Sequence, residues 1–235
     1  MVFVRVILSS IALYSGFLCA QNVDIYYEPR PPFVVEENTT LSGIVGQPLM
    51  QALHQSSLKF SLKNIPSKRH LHEIENNKHA ICAVGWFKNP EREVYGKFTK
   101  ALYKDKPMGI IVRVDDKRFD TLLDVQSVLS HQEIVLLMKA SYSYGKGIDE
   151  KIVAFKTKTR EVSSDNLTMF SLIEKKRGDY AFMSYEEAHE LLKNKTHPSI
   201  KFVALNDMPE GNHRYLICSK MVDDAFINAI NSYVK

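Results

Sequence analysis

The pattern of hydrophobic and polar residues changes repeatedly along the chain, and each change predicts the start of a new strand or helix. Short apolar runs rich in β-branched and aromatic residues predict strands, at residues 23–28, 58–65, 79–86, 106–114, 133–140, 160–164, 179–184, 200–205 and 214–220. Apolar residues repeating every three or four positions predict helices, at residues 42–57, 68–77, 120–129, 148–155, 165–177, 185–195 and 223–234. This alternation favours an α/β fold with crossover helices, and two groups of similar size suggest two lobes.

Residues 1–20 have a different pattern, with an early cation at Arg5 and then about a dozen mostly apolar residues. This pattern is typical of a secretory signal peptide and predicts a periplasmic protein. A first buried helix is the alternative, but no helical stripe separates polar from apolar residues here. A lipid anchor at Cys19 is a further alternative, although the residues before it are larger than such anchors usually have.

The charge of the rest of the chain is close to balanced. The full sequence carries 31 Lys and Arg against 27 Asp and Glu, a net charge of +4. Removal of Arg5 leaves +3, and the cations are scattered, so neither nucleic acid nor a membrane is an expected partner. No Cys/His spacing is that of a zinc site, and no cofactor is expected.

Two cysteines remain after the predicted signal peptide, Cys82 and Cys218. Each lies in an apolar run, AICAVG and YLICS. A disulfide is possible in an oxidising compartment, and two buried thiols on strands are the alternative.

Several segments occur in an order that resembles a known protein family. After the strand at 79–86 comes NPEREVYGKFTKALYKDKPMGIIV. Supporting pieces are YYEPRPPF, IPSKRHLHEIENN, RGDYAFMSYEEA and RYLICSKMVDDAFINAINSY. Together they resemble the family 3 extracytoplasmic solute-binding proteins of ABC importers, the polar amino acid type, over nearly all of the chain after residue 20. One departure is Ala101-Leu102, where the family has a small residue followed by proline.

The resemblance implies an α/β type II periplasmic-binding fold, a two-lobed Venus flytrap with two hinge-crossing segments. Lobe one would comprise residues 21–111 and 212–235, and lobe two residues 112–206, with 207–211 as the second crossing. A small ligand would lie in the cleft between the lobes. The implied protein is a monomer without enzymatic activity whose partners are the ligand and an ABC permease of the inner membrane.

The resemblance also implies a set of ligand-binding residues. Arg92 matches the arginine that binds a ligand carboxylate with its two parallel donors. The alternative is a surface arginine paired with Glu91 or Glu93. The other implied contacts are Tyr27, Phe33 and Trp86 in lobe one, and Ser141, Ser143, Tyr144 and Ser184 in lobe two.

A second departure concerns the ligand's ammonium group. Amino acid binders of this family have an acidic residue where this chain has Ser184, and Glu186 is expected to face away. The sequence therefore favours a carboxylated or otherwise anionic small molecule without a free amine. The alternatives are a ligand-sensing module and a dehydratase-like enzyme on the same fold, with Glu28 and Glu186 as acid/base candidates.

Overall fold

The computed structural model describes residues 21–140, 144–163, 165–193 and 195–234. The predicted signal peptide, residues 1–20, lies outside the described residues, as do Ser141 and Ser143 of the predicted ligand site.

Across the described residues, the chain forms thirteen strands and eight α-helices. The strands are β1 Val23–Tyr27, β2 Val35–Glu37, β3 Thr40–Ser42, β4 Phe60–Asn64, β5 Ile81–Phe87, β6 Gly96–Phe98, β7 Tyr103–Lys104, β8 Gly109–Arg113, β9 Leu136–Lys139, β10 Thr159–Val162, β11 Tyr180–Met183, β12 Ile200–Ala204 and β13 His213–Ser219. The helices are α1 Gly43–Gln55, α2 Ser67–Asn76, α3 Pro90–Tyr95, α4 Val125–Ser130, α5 Lys146–Ala154, α6 Asn166–Glu174, α7 Tyr185–Lys193 and α8 Asp224–Tyr233, and Lys117–Asp120 forms a 3-10 turn.

The strands form two mixed sheets, which confirms the predicted α/β fold. One sheet has the order β4-β1-β5-β13-β6, with β7 also paired to β13, and the other has the order β10-β9-β11-β8-β12. We call the first sheet and its helices lobe one, and the second sheet and its helices lobe two. Buried side chains cover both faces of each sheet, as expected where helices flank α/β sheets.

The chain passes between the lobes twice, after β7 and after β12. Because β8 belongs to the lobe-two sheet, the first crossing ends before Gly109, whereas the predicted lobe-one range runs to residue 111. The two crossings touch, since the backbone N–H of Asp105 donates to the carbonyl of Asn212 at 2.9 Å. A Cβ atom on Gly211 would lie 1.9 Å from the carbonyl oxygen of Asp105, so this contact requires glycine.

A disulfide joins Cys82 and Cys218, which settles the choice between a bridge and two free thiols. The two residues face each other in the antiparallel pairing of β5 with β13, and both are fully buried. The bridge therefore ties the last strand of lobe one to the middle of its sheet.

Most predicted elements are present, with one clear error. Of the helix predicted at 120–129, only the part from Val125 is α-helical, as α4, and residues 121–124 separate it from the 3-10 turn that ends at Asp120. The break occurs because Asp124 caps α4 in a reciprocal arrangement with Ser127, and a capping residue cannot also continue a helix. Asp165 caps α6, because its side chain accepts a hydrogen bond from the backbone N–H of Thr168 at 2.8 Å.

A buried ionic network fixes the 3-10 turn to the lobe-two sheet. Arg113 on β8 is 7% exposed and donates to Asp116 at 2.8 Å and to the carbonyls of Ile173 and Gly178. Arg118 donates to the same Asp116.

Within the described part of the chain, no helix has the length and apolar composition needed to cross a membrane.

Candidate functional site

The two lobes face each other across a cleft of about 350 Å³. Arg30, in the loop after β1, supplies one wall, and Lys139, at the end of β9, supplies the other. The rest of the lining comes from Pro31, from the start of α6 and from the first two turns of α7. Strand ends and helix N-termini therefore surround this cleft, the usual location of ligand sites in α/β folds.

An ion pair crosses the cleft. Arg30 donates from Nε to Glu187 Oε1 at 2.8 Å and from a terminal nitrogen to Glu187 Oε2 at 3.0 Å. The side chain of Glu187 is 8% exposed, whereas that of Arg30 is 43% exposed. Burial acts to raise the pKa of Glu187, but the hydrogen bonds and charge of Arg30, together with Ser184, leave that pKa below its ordinary value. Glu187 is therefore an anion at neutral pH.

Lys139 lies on the lobe-two side of the same cleft. Burial lowers its pKa from the ordinary lysine value, and the negative charge of Glu187 partly offsets this effect. Its backbone N–H donates to the hydroxyl of Tyr144 at 3.3 Å. Tyr144 and Ser184 both line a small side cavity of about 20 Å³ that also contacts Arg30 and Lys139. The structure thus brings two of the predicted lobe-two residues to the cleft.

Ser184 has a structural role in this arrangement. Its Oγ accepts a hydrogen bond from the backbone N–H of Glu187 at 3.3 Å, as a helix-capping serine does, and donates to Glu187 Oε2 at 2.7 Å. The stretch SYEE, residues 184–187, has the S-x-x-E pattern of a capping box. Here the glutamate side chain pairs with Arg30 instead of returning to the backbone of the capping residue.

Arg92 lies in the corner between β5 and α3. Asn89 caps α3 by accepting a hydrogen bond from the backbone N–H of Arg92 at 2.8 Å. The Arg92 guanidinium donates to the carbonyl of Phe87 at 2.7 Å and lies 5.0 Å from the ring centre of Trp86. These contacts are all within lobe one, and the ligand role of Arg92 stays a prediction.

The three predicted aromatic residues of lobe one also make contacts inside that lobe. Tyr27 donates to Glu36 at 2.6 Å, and burial together with this hydrogen bond raises the pKa of Tyr27 to about 12. Phe33 is 1% exposed and its ring lies 3.7 Å from the guanidinium carbon of Arg214. Trp86 Nε1 lies 3.3 Å from Nδ1 of His70. Their contact with a ligand remains a prediction.

The two acid/base candidates lie elsewhere. Glu28 is exposed and accepts a hydrogen bond from the backbone N–H of Ser67 at 2.9 Å. Glu186 is 7% exposed, accepts hydrogen bonds from Tyr103 of β7 and Lys106 of the first crossing, and is not among the residues that line the cleft. Among the described residues, no three His, Cys, Asp or Glu side chains are grouped so that they could hold a metal ion.

Sequence reasoning did not select three cleft residues, Arg30, Lys139 and Glu187. Position relative to strand ends was the available signal for Arg30 and Lys139. For Glu187, the signal was the S-x-x-E pattern directly after a buried strand. Neither signal shows that Arg30 and Glu187, 157 residues apart, form a pair.

Comparison with known proteins identifies structural neighbours. No protein-family model matches the chain, and a search of the curated proteins finds no match. A solved structure of an ancestral arginine-binding protein bound to arginine matches with a TM-score of 0.66 at 16% identity, and the match covers 91% of each chain.

Two further solved structures have similar scores. An amino acid ABC transporter substrate-binding protein from Streptococcus pneumoniae, bound to L-arginine, gives a TM-score of 0.66 at 14% identity, over 91% of this chain and 87% of that one. The L-cystine solute receptor of Neisseria gonorrhoeae, unliganded and open, gives a TM-score of 0.64 at 15% identity, over 91% of this chain and 86% of that one. At these identities the matches establish the fold, and the chain has the two-lobed architecture of amino acid ABC transporter substrate-binding proteins.

Proposed function

We propose that this protein captures a small carboxylated or otherwise anionic molecule in the interlobe cleft and delivers it to an ABC importer. The observation that carries the proposal is the chemistry of the cleft. Two cationic side chains, Arg30 from lobe one and Lys139 from lobe two, line a space of about 350 Å³ together with the carboxylates of Asp165, Glu187 and Glu190. Pockets of a few hundred Å³ with a few converging polar groups are typical of small-molecule sites.

Arg30 already holds a carboxylate in the cleft. Its Nε and one terminal nitrogen contact the two oxygens of Glu187 at 2.8 and 3.0 Å. A planar guanidinium is suited to this two-point contact, and a ligand carboxylate presents the same pair of oxygens. Glu187 therefore occupies the position that we assign to the anionic group of the ligand.

The structural neighbours support the choice of solute binding over catalysis. Two of them are bound to arginine and one is a receptor for L-cystine. Each is described as a protein for a small solute, and solute binding is proposed here for this chain together with an ABC permease as partner and a periplasmic location. Neither Glu28 nor Glu186 lines the cleft, which argues against the dehydratase-like alternative.

The test begins with the natural ligand. The protein is purified without denaturation, and the small molecules that it carries are identified by mass spectrometry. The identified compound is then titrated calorimetrically into the empty wild type and into the Arg30→Ala and Arg92→Ala variants. Arg69→Ala is the matched control, because Arg69 is 66% exposed and its ion pair, with Glu73, lies within its own helix.

The expected effect follows from the loss of a desolvated charge pair with the ligand. Removing one partner costs about 2–5 kcal/mol, which lowers the affinity roughly thirtyfold to several thousandfold. We expect this loss for Arg30→Ala and an unchanged affinity for Arg69→Ala. Arg92→Ala decides the role implied by the family resemblance, since a comparable loss places Arg92 in the site. Wild-type affinity in Arg30→Ala would refute the proposed binding site.

A further inference from the structure

The first two residues of α7 bind the segment where the chain first crosses between the lobes. The Nζ of Lys106 lies 4.1 Å from the ring centre of Tyr185. Glu186 Oε1 accepts hydrogen bonds from the hydroxyl of Tyr103 at 2.9 Å and from the backbone N–H of Lys106 at 2.8 Å. Tyr103 belongs to the lobe-one sheet and α7 packs on the lobe-two sheet, so these bonds tie the lobes together.

The next residue of the same helix makes a second tie across the cleft. Glu187 pairs with Arg30 through both oxygens. Glu186 and Glu187 are each 7% exposed, which is rare for carboxylates. Glu187 is paired with Arg30, whereas Glu186 is held through Oε1 alone, because its Oε2 is buried without a hydrogen-bond partner. Burial and the hydrogen bond to Glu186 raise the pKa of Tyr103 to about 12, so its hydroxyl is a proton donor at neutral pH.

Both ties consist of the protein's own groups. A ligand carboxylate is therefore not required to neutralise Arg30 when the cleft is closed. The lobes of a hinged protein separate only if contacts between them are exchanged for contacts with water. Here the exchange must release two carboxylates and an arginine at once.

We propose that Glu186 and Glu187 form a latch that keeps the cleft closed while no ligand is bound. The effect of the latch on ligand binding rests on the proposed function. An anionic ligand must compete with Glu187 for Arg30, so the latch selects ligands that bind Arg30 more strongly than Glu187 does. Closure itself is a property of the empty protein. The latch and the ligand site can therefore fail independently of each other.

The experiment measures closure without any ligand. The protein is unfolded in guanidinium with its disulfide intact, dialysed and refolded, and its small-angle X-ray scattering is compared with the curve calculated from the closed structure. We expect the empty wild type to fit this curve. Arg30→Glu places two carboxylates opposite each other and should open the cleft, giving a larger radius of gyration. Tyr103→Phe removes a hydrogen bond from Glu186 and should give a smaller increase.

A charge exchange separates opening of the latch from misfolding. The double variant Arg30→Glu/Glu187→Arg restores an ion pair in reverse and should return the scattering to that of the wild type. Arg69→Glu makes the same charge change in lobe one outside the latch and should have no effect. The proposal is overturned by any of three results: the empty wild type is open, Arg30→Glu scatters like the wild type, or the double variant is as open as Arg30→Glu alone. Thermal melts confirm that each variant is folded.

Discussion

Removing the Cys82–Cys218 disulfide should destabilise the protein substantially, because the bridge closes a long loop. The two cysteines are 136 residues apart. In the loop-entropy model, cross-linking a loop of this length destabilises the unfolded chain by about 5 kcal/mol. The loop contains all of lobe two, so its length matters only when lobe two is also unfolded.

A smaller effect is expected if lobe one unfolds while lobe two stays folded. Folded lobe two then holds Gly109 and Ala204 in place, and the free segments run from Cys82 to Gly109 and from Ala204 to Cys218. These segments contain about 41 residues, for which the same model gives about 4 kcal/mol. The bridge should therefore stabilise lobe one under either mode of unfolding.

The assay is urea unfolding followed by the fluorescence of Trp86, the only tryptophan, which lies on β5 of lobe one. The oxidised protein is compared with protein reduced in urea and kept in reductant, which retains both sulfurs, and with Cys82→Ala/Cys218→Ala. We expect a lower midpoint in both, and a steeper dependence on urea because the unfolded chain is less compact without the bridge. Equal midpoints for oxidised and reduced protein would falsify the loop argument.

Three other predictions test separate parts of the structure. Gly211→Ala should lower the melting temperature by several degrees, since its Cβ would lie 1.9 Å from the backbone oxygen of Asp105, and a wild-type melt would contradict the tight crossing. The hydrogen bond from Arg118 holds the pKa of Asp116 below its ordinary value, so the stability that this aspartate contributes is present above about pH 4 and is lost as the pH falls through its folded-state pKa. Arg118→Gln should weaken the loss of stability at acid pH, measured as the urea midpoint at a series of pH values. The same pH dependence in the variant and the wild type would contradict this role of Arg118. Arg92→Ala should cost the empty protein about 1 kcal/mol through the lost hydrogen bond to its own loop, and an unchanged urea midpoint would show that this bond contributes nothing.

The order of strands and helices could be predicted because burial imposes a period on the sequence. The predicted helix at 42–57 appears as Gly43–Gln55, and the strand at 79–86 as Ile81–Phe87. The hairpin of β2 and β3 was missed because its residues are largely polar and its turn depends on Asn38 at φ 53°, a local conformation with little periodic signal. The six-residue α3 is too short to show a helical stripe.

The candidate site was less predictable than the fold, for a different physical reason. Arg30 and Glu187 are distant in sequence, and their contact depends on how the two lobes close. The sequence near Ser184 suggested only that an acidic partner was missing at that position. One helical turn later, Glu187 provides a carboxylate in the cleft. The position of Glu187 in the sequence could not show that its side chain lies on the face of α7 that borders the cleft.

The position of β13 inside the lobe-one sheet affects the order in which the two lobes can fold. This strand pairs with β5 on one side and with β6 and β7 on the other, yet its first residue comes 109 positions after the end of β7. Until β13 is in place, β5, β6 and β7 lack the strand that pairs between them, so residues 21–104 cannot complete the lobe-one sheet by themselves. Unpaired strand edges promote pairing with other chains. Lobe two, which is continuous in sequence, can therefore fold before lobe one, and the incomplete first lobe needs protection from aggregation until β13 has joined its sheet.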